Sequence, residues 1–276
     1  MMSKLVVKPG SKILLSDVDP NYSGNYKSEK DAQKQLDEQS ANITQLQRKL
    51  YADRQHSLLI ILQGIDAAGK DGTCWHVLSS MNPQGTSVHG FKQPTAEESS
   101  HDFLWRVHPH VPARGHIAVF NRSHYEDVLI QRVHKMASDK IIEKRYGLIN
   151  DFENMIASNN TTILKFFLYI SPEEQLKRFE ERLNDPLRQW KISESDYTER
   201  ALWNDYIKAY EAMLEKCSTK NAPWYVIPAN HKWFRNLAIS NIVEKTLQNM
   251  KLEIPEPTVS LDEIRKKYHQ AKKEKL

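Results

Sequence analysis

"LQGIDAAGKDG", residues 62–72, decides how the rest of the chain is read. From Gly64 to Lys70 it fits the spacing G-x-x-x-x-G-K, directly after the apolar run "SLLIILQG" (57–64) and ahead of a predicted helix. A strand, a loop of small residues and a helix in that order curl backbone N–H groups inward around a phosphate. The helix N-terminus adds partial positive charge. Gly64, Ala67, Ala68, Gly69, Lys70, Asp71 and Gly72 are therefore candidate phosphate ligands, and Lys70 brings a full charge. Such loops normally follow the lysine with a Ser or Thr that holds Mg2+; here Asp71 follows. Magnesium takes oxygen ligands and few from protein, usually one or two carboxylates beside phosphates and water. Asp66, inside the loop, can take over that duty. Thr73 lies too far past Lys70 to replace the missing hydroxyl, and Asp71 reads as a first-turn acid favoured by the helix dipole.

On either side of the loop, apolar strands alternate with helices. Strands are predicted at 57–64, 86–91, 115–121, 161–170 and 223–229. Helices are predicted at 29–54, 69–81 and 97–108, from Tyr125, from Glu173, and over 196–216 and 233–250. That alternation implies one parallel sheet covered on both faces. Residues 1–28, broken by Pro9, Gly10, Pro20 and Gly24, read as an N-terminal arm. Residues 29–254 form the main domain, and residues 255–276, beyond Pro255 and Pro257, form a basic tail. Helix 29–54 is polar enough to be a surface helix and offers a face for self-association.

Bulk properties narrow the class. An apolar fraction of 39% in 276 residues is ordinary for a globular α/β protein, and the net charge is only +4. No apolar run nears the roughly 18 residues of a membrane span, and "MMSKLVVKPG" carries no secretory signal. Cys74 and Cys217, far apart and without a spacing motif, fit a reducing cytoplasm and offer neither a disulfide framework nor a zinc site. His108 and His110 lack an evident third ligand.

Two further motifs carry chemistry. "VFNRSHYEDV" (119–128) follows a predicted strand at the sheet edge where α/β proteins bind ligands, and it presents Asn121, Arg122, Glu126 and Asp127. "KRFEERLNDPLRQWK" (177–191) holds five Lys/Arg against three Asp/Glu. On its helix Arg178 and Arg182 share a face opposite a Leu176/Phe179/Leu183 stripe, with Arg188 and Lys191 just beyond. Guanidinium forks bind phosphate oxygens and stabilise charge in phosphoryl transfer, so residues 175–195 read as a lid. The plain structural alternatives are a glycine turn, a polar loop, and a surface helix laced with pairs such as Lys177–Glu181. His124 reads as a packing residue, and Trp190, Trp203 and Trp233 as core or lid anchors.

Together "GIDAAGKDG", "EESSHDFLWRVH", "FNRSHYEDV", "ERLNDPLRQWK" and "PANHKWFRNL" resemble the second family of polyphosphate kinases, in its order and spacing. The resemblance implies a three-layer P-loop kinase fold like that of thymidylate kinase, a parallel sheet of about five strands and a helical lid. It implies reversible phosphoryl transfer between inorganic polyphosphate and AMP, ADP or ATP, with guanine nucleotides as further substrates. Mg2+ is the expected cofactor and Mn2+ its substitute. Asp66 resembles the magnesium ligand, Lys70 and Arg122 the contacts to the transferred group, and Arg182 the lid arginine. Arg178, Arg188 and Lys191 would hold polyphosphate; Asn121, Arg122, Glu126 and Asp127 would hold the nucleotide. The word Tyr125-Glu126-Asp127 resembles the class accepting both mono- and diphosphates. Many relatives have Asp at position 121, so Asn121 weakens its own place as a metal ligand. A homodimer or homotetramer is implied; neither a membrane nor a specific nucleic acid is expected as partner. Two other readings compete. An ATP-dependent nucleoside monophosphate kinase would be expected to keep Ser or Thr after Lys70, and a non-catalytic nucleotide-sensing or nucleic-acid-binding module has no need of lid arginines.

Overall fold

The computed structural model describes residues 4–274. Five strands, β1 (Ser57–Gln63), β2 (Thr86–Gly90), β3 (Ile117–Asn121), β4 (Thr161–Tyr169) and β5 (Trp224–Pro228), form one parallel sheet in the order β2-β3-β1-β4-β5. Every residue of β1 is buried, as expected of a central strand with helices on both faces. The helices are α1 (Glu29–Asp53), α2 (Lys70–Leu78), α3 (Ala96–Ser100), α4 (Glu126–Val133), α5 (Asp139–Ser158), α6 (Pro172–Leu183), α7 (Ser195–Ala201), α8 (Trp203–Cys217), α9 (Lys232–Asn249) and α10 (Leu261–Lys273).

Alternation along β1 sorts the core into two layers. Leu58, Ile60 and Leu62 pack with α1, α2 and α9; Leu59 and Ile61 pack with α4, α5 and α8. The apolar face of α1 (Ala32, Leu36, Ile43, Leu50) is buried within the chain's own core, and its opposite face is polar and exposed. The N-terminal arm is structural. Leu5 and Val7 pair antiparallel with β5 (Val7 N to Trp224 O 2.8 Å, Val226 N to Leu5 O 2.9 Å), which covers an edge strand, and Leu15 is fully buried.

Three predicted boundaries shift. The helix expected over 97–108 stops at Ser100, because the Asp102 carboxylate accepts from the N–H groups of Leu104 (3.0 Å) and Trp105 (3.1 Å) and folds a turn instead. The helix expected over 196–216 divides at Leu202 into α7 and α8. Tyr125 opens two helices, α4 and the long α5. The basic tail forms α10, exposed along its whole length. Among the described residues no helix is long and apolar enough to cross a membrane. Both cysteines are buried and unpaired.

Candidate active site

The chain leaves β1 toward β2 and leaves β4, its neighbour, toward β5. Connections departing in opposite directions open a crevice at the C-terminal edge of the sheet, where such folds bind ligands. The loop from Gly64 to Gly69 lies at this crevice. Gly64 is required by close packing, since a Cβ there would lie 2.8 Å from the Leu168 carbonyl oxygen. Gly69, the residue before α2, has φ +102°, a conformation suited to glycine. Lys70 is buried, and its Nζ donates to the carbonyls of Gly64 (2.6 Å) and Ile65 (3.3 Å), which holds the ammonium across the loop mouth. Burial and then the Arg122 charge lower its pKa to about 8. Thr73 is fully buried and its hydroxyl donates to the Gly69 carbonyl (3.0 Å), so it has no role at the mouth.

The second motif converges on the first. Arg122, at φ +63° just past β3, donates through Nη2 to Asp66 Oδ1 (2.7 Å) and through Nη1 to Glu126 Oε2 (3.4 Å). Its burial opposes charging, but Glu126 and Asp66 prevail and raise its pKa further. Glu126 also accepts from Gln63 Nε2 (3.1 Å), the last residue of β1. Asp66, Lys70, Arg122 and Glu126 thus come together from two stretches of chain, the loop into α2 and the turn from β3 into α4.

Asn121 and Asp71 do something other than expected. Asn121 Nδ2 donates to Asp71 Oδ1 (2.8 Å), and Lys191 Nζ donates to Asp71 Oδ2 (2.6 Å). Although partial burial acts against it, donation from Lys191 and Asn121 holds the Asp71 carboxyl below its ordinary range. Asp71 is therefore a latch between loop, strand end and lid rather than a phosphate ligand: its negative charge is already engaged by two donors.

The lid arginines divide. Arg178 was expected to face phosphate, but its guanidinium donates to four backbone carbonyls: Ala67 (2.9 Å), Ala68 (3.0 Å), Ala229 (2.6 Å) and Asn230 (3.1 Å). Nε donates to Glu174 (2.7 Å), which completes the fork. Arg178 clamps the loop to the residues after β5. Gln175 does likewise, donating to the Asp66 carbonyl (3.0 Å). The buried face of α6 is Gln175, Arg178 and Phe179, while Leu176 and Leu183 are exposed, which reverses part of the expected stripe. The surface that α6 covers is a row of loop carbonyls, and buried carbonyls need donors. Arg182 pairs with Asp196 (3.6 Å) on α7. Burial, with some help from the Asp66 charge, raises the Asp196 carboxyl despite the opposing Ser193 N–H and Arg182. Arg188 turns away to Asp185 (2.8 Å) and Glu181 (3.9 Å), so it does not reach the crevice. Trp190 is largely exposed rather than a core anchor, whereas Trp203 and Trp233 pack against the core.

Asp127 faces a small cavity of about 40 Å³ lined in part by Phe91, Lys92, Arg106, Glu126 and Gln131. Burial raises its pKa to about 6 against the pull of Arg145 and Arg106. Beneath the same turn lies an ionic cluster. Lys165, fully buried in β4, donates to Glu153 Oε2 (2.6 Å), the Tyr125 hydroxyl (2.8 Å) and the Cys217 carbonyl (2.6 Å). Tyr125 in turn donates to Glu153 Oε1 (2.7 Å), and His124 Nε2 lies 3.3 Å from the same oxygen. His124 is thus buried within this cluster.

A profile of polyphosphate kinase 2 matches residues 26–255. The chain belongs to the polyphosphate kinase 2 family. It is 43% identical over 264 residues to an AMP/ADP-polyphosphate phosphotransferase of Meiothermus ruber, covering 95% of this chain and 99% of the relative. It is 41% identical to an ADP-polyphosphate phosphotransferase of Rhodopseudomonas palustris, covering 91% of each. The crystal structure of polyphosphate kinase 2 from Arthrobacter aurescens TC1 superposes with a TM-score of 0.91 at 42% identity, over 96% of this chain and 98% of that one. The fold is that of the P-loop kinases, as in that polyphosphate kinase 2 structure.

Sequence reasoning missed several residues of this polyphosphate kinase 2 site. Gln63, Gln175 and Asp196 are polar residues on elements read for their apolar pattern. Glu153 and Lys165 are charged residues within predicted helix and strand, and a lysine inside the apolar run "TTILKFFLYI" was the available signal. Arg235, in "PANHKWFRNL", lies buried against the loop.

Proposed function

We propose that the chain transfers a terminal phosphoryl group of inorganic polyphosphate to AMP or ADP, reversibly, at the crevice formed by Asp66, Lys70, Arg122 and Glu126. The observation carrying this reading is the Asp66–Arg122–Glu126 chain beside Lys70, with the lid latched to Asp71 through Lys191. In-line transfer forms one P–O bond to the acceptor phosphate and breaks the bridging P–O bond of the donor. Negative charge then develops on the shortened polyphosphate. Lys70 and Arg122 are fixed in advance to meet charge at the reacting centre, and Arg182 lies on the lid, paired with Asp196. Glu126 and Asp127, between Arg122 and the small cavity, would face the nucleotide side. Lys191 and the loop N–H groups would face polyphosphate.

Magnesium fits the donor set. Asp66 has one carboxylate oxygen on Arg122 and the other without a partner, and among the described residues no group of three or more His, Cys, Asp and Glu forms a cage. One carboxylate supplemented by phosphate oxygens and water is the usual magnesium arrangement, and Mn2+ accepts the same oxygens. Asn121, whose amide nitrogen is committed to Asp71, keeps only its side-chain oxygen for that purpose. Bound there, the cation would supply charge neutralisation between donor and acceptor phosphates.

Purified protein incubated with AMP or ADP, Mg2+ and long-chain polyphosphate, with no ATP added, should yield ADP and ATP. Absence of both products overturns the reading, and product formed only when ATP is supplied to AMP would favour the ordinary nucleotide kinase instead. Omitting the cation tests the metal separately.

A further inference from the structure

Arg235 is 4% exposed, yet among the described residues it has no carboxylate partner. Its Nε and Nη2 donate to the Asn236 side-chain oxygen (3.1 and 2.8 Å), a neutral acceptor. Nη1 has no hydrogen-bond partner among the described residues, and it is not one of the buried polar atoms sealed from the surface. Nη1 lies against Gly69 so closely that a Cβ there would collide with it, and a Cβ on Gly72 would stand 3.4 Å from Nη2. The guanidinium therefore lies on the first turn of α2, a helix of nine residues whose opening N–H groups lack intrahelical acceptors.

The surroundings increase the positive charge. Arg178 Nη1 approaches the same glycine. Burial first, then Arg178, lowers the Arg235 pKa to about 10. Burial and Arg235 lower His76, which favours its neutral form, and burial pushes the Cys74 thiol up to about 12. A buried guanidinium surrounded by cationic and neutral groups is costly unless an anion completes it. Arg235 makes no hydrogen bond to Asp66, Lys70, Arg122 or Glu126 among the described residues; it meets the loop through Gly69 and Gly72.

We propose that Arg235 is a phosphate contact for the polyphosphate chain, forming with the N-terminus of α2 a second anion position on the Gly69–Gly72 side of the loop. This rests on the function proposed above. A polymeric donor can occupy two such positions at once, whereas a nucleotide at the transfer centre need not touch the second. Gly72, in the first turn of α2, lies next to the same guanidinium.

Arg235→Met and Arg235→Lys should be compared with the wild type by steady-state kinetics and by thermal unfolding with and without long-chain polyphosphate. The expected result for Arg235→Met is a KM for polyphosphate raised about 10- to 100-fold, the loss of one charge-assisted hydrogen bond. The KM for ADP should stay within about twofold. Arg235→Lys should lie between, since it keeps charge without the planar fork. Without polyphosphate the Met variant should melt no lower than the wild type, and polyphosphate should raise its melting temperature less. An unchanged KM for polyphosphate overturns the proposal, as does a rise confined to the ADP KM. If the Met variant does not fold, the Lys variant is judged by the same criteria. A wild type that ignores polyphosphate would instead overturn the proposed function, so the two failures are distinct.

Discussion

Glu153→Gln tests the ionic cluster beneath the Arg122–Glu126 turn. Glu153 and Lys165 are both buried, and Glu153 takes hydrogen bonds from Lys165 and Tyr125 with His124 alongside. The amide keeps the shape and one acceptor oxygen but removes the carboxylate charge, leaving the buried Lys165 ammonium with neutral partners only, among them Tyr125 and the Cys217 carbonyl. Breaking a buried pair on one side costs about 3–5 kcal/mol. At about 2–3 °C per kcal/mol for a chain of this size, the melting temperature should fall by roughly 6–15 °C at pH 7. Replacing both partners, Glu153→Leu with Lys165→Met, removes the uncompensated charge and should recover most of that loss. Differential scanning calorimetry on the wild type, Glu153→Leu, Lys165→Met and their double variant measures the coupling. Burial opposes ionisation of Glu153, but Lys165 and His124 prevail and lower its pKa. A depressed carboxyl pKa contributes stability that is present above the unfolded value and is lost as pH falls through the folded one. The gap between wild type and Glu153→Gln should therefore narrow toward acid. A single variant melting within about 2 °C of wild type at pH 7 would refute the reasoning.

Other outcomes follow from the crevice. Lys70→Met should lower kcat by about 10²–10³ while the fold persists by circular dichroism, the usual cost of removing one preorganised donor; with Lys70 at about 8, wild-type turnover should also decline above about pH 8. Glu126→Asn removes a charge shared by Gln63 and Arg122 and should change the ratio of AMP to ADP use by about tenfold or more; an unchanged ratio separates this residue from acceptor choice. Lys191→Met breaks a 2.6 Å but solvent-accessible pair with Asp71, worth about 0.2–1 kcal/mol, so the KM for polyphosphate should rise by no more than about fivefold, and less at high salt.

The sequence alone determined the sheet, the loop and the family. Seven consecutive buried residues in β1 are legible because a strand covered on both faces is apolar throughout. The glycine spacing is legible because backbone geometry, not partners, imposes it. Asp66 could be singled out because a carboxylate inside the loop stands out once the usual hydroxyl after the lysine is missing. What only the tertiary structure decided is where each arginine points. Arg178, Arg182, Arg188 and Arg235 are the same residue type, all on or beside helices, yet one clamps carbonyls, one pairs with Asp196, one pairs within the lid and one lies against Gly69. Helical periodicity says which residues share a face, not whether that face meets apolar side chains or backbone oxygens. The partners that make those assignments lie far away in the chain, 111 positions between Arg178 and Ala67 and further still between Arg235 and Gly69. For the same reason Asp71, a first-turn acid by sequence, became a latch only when folding brought Asn121 and Lys191 to it.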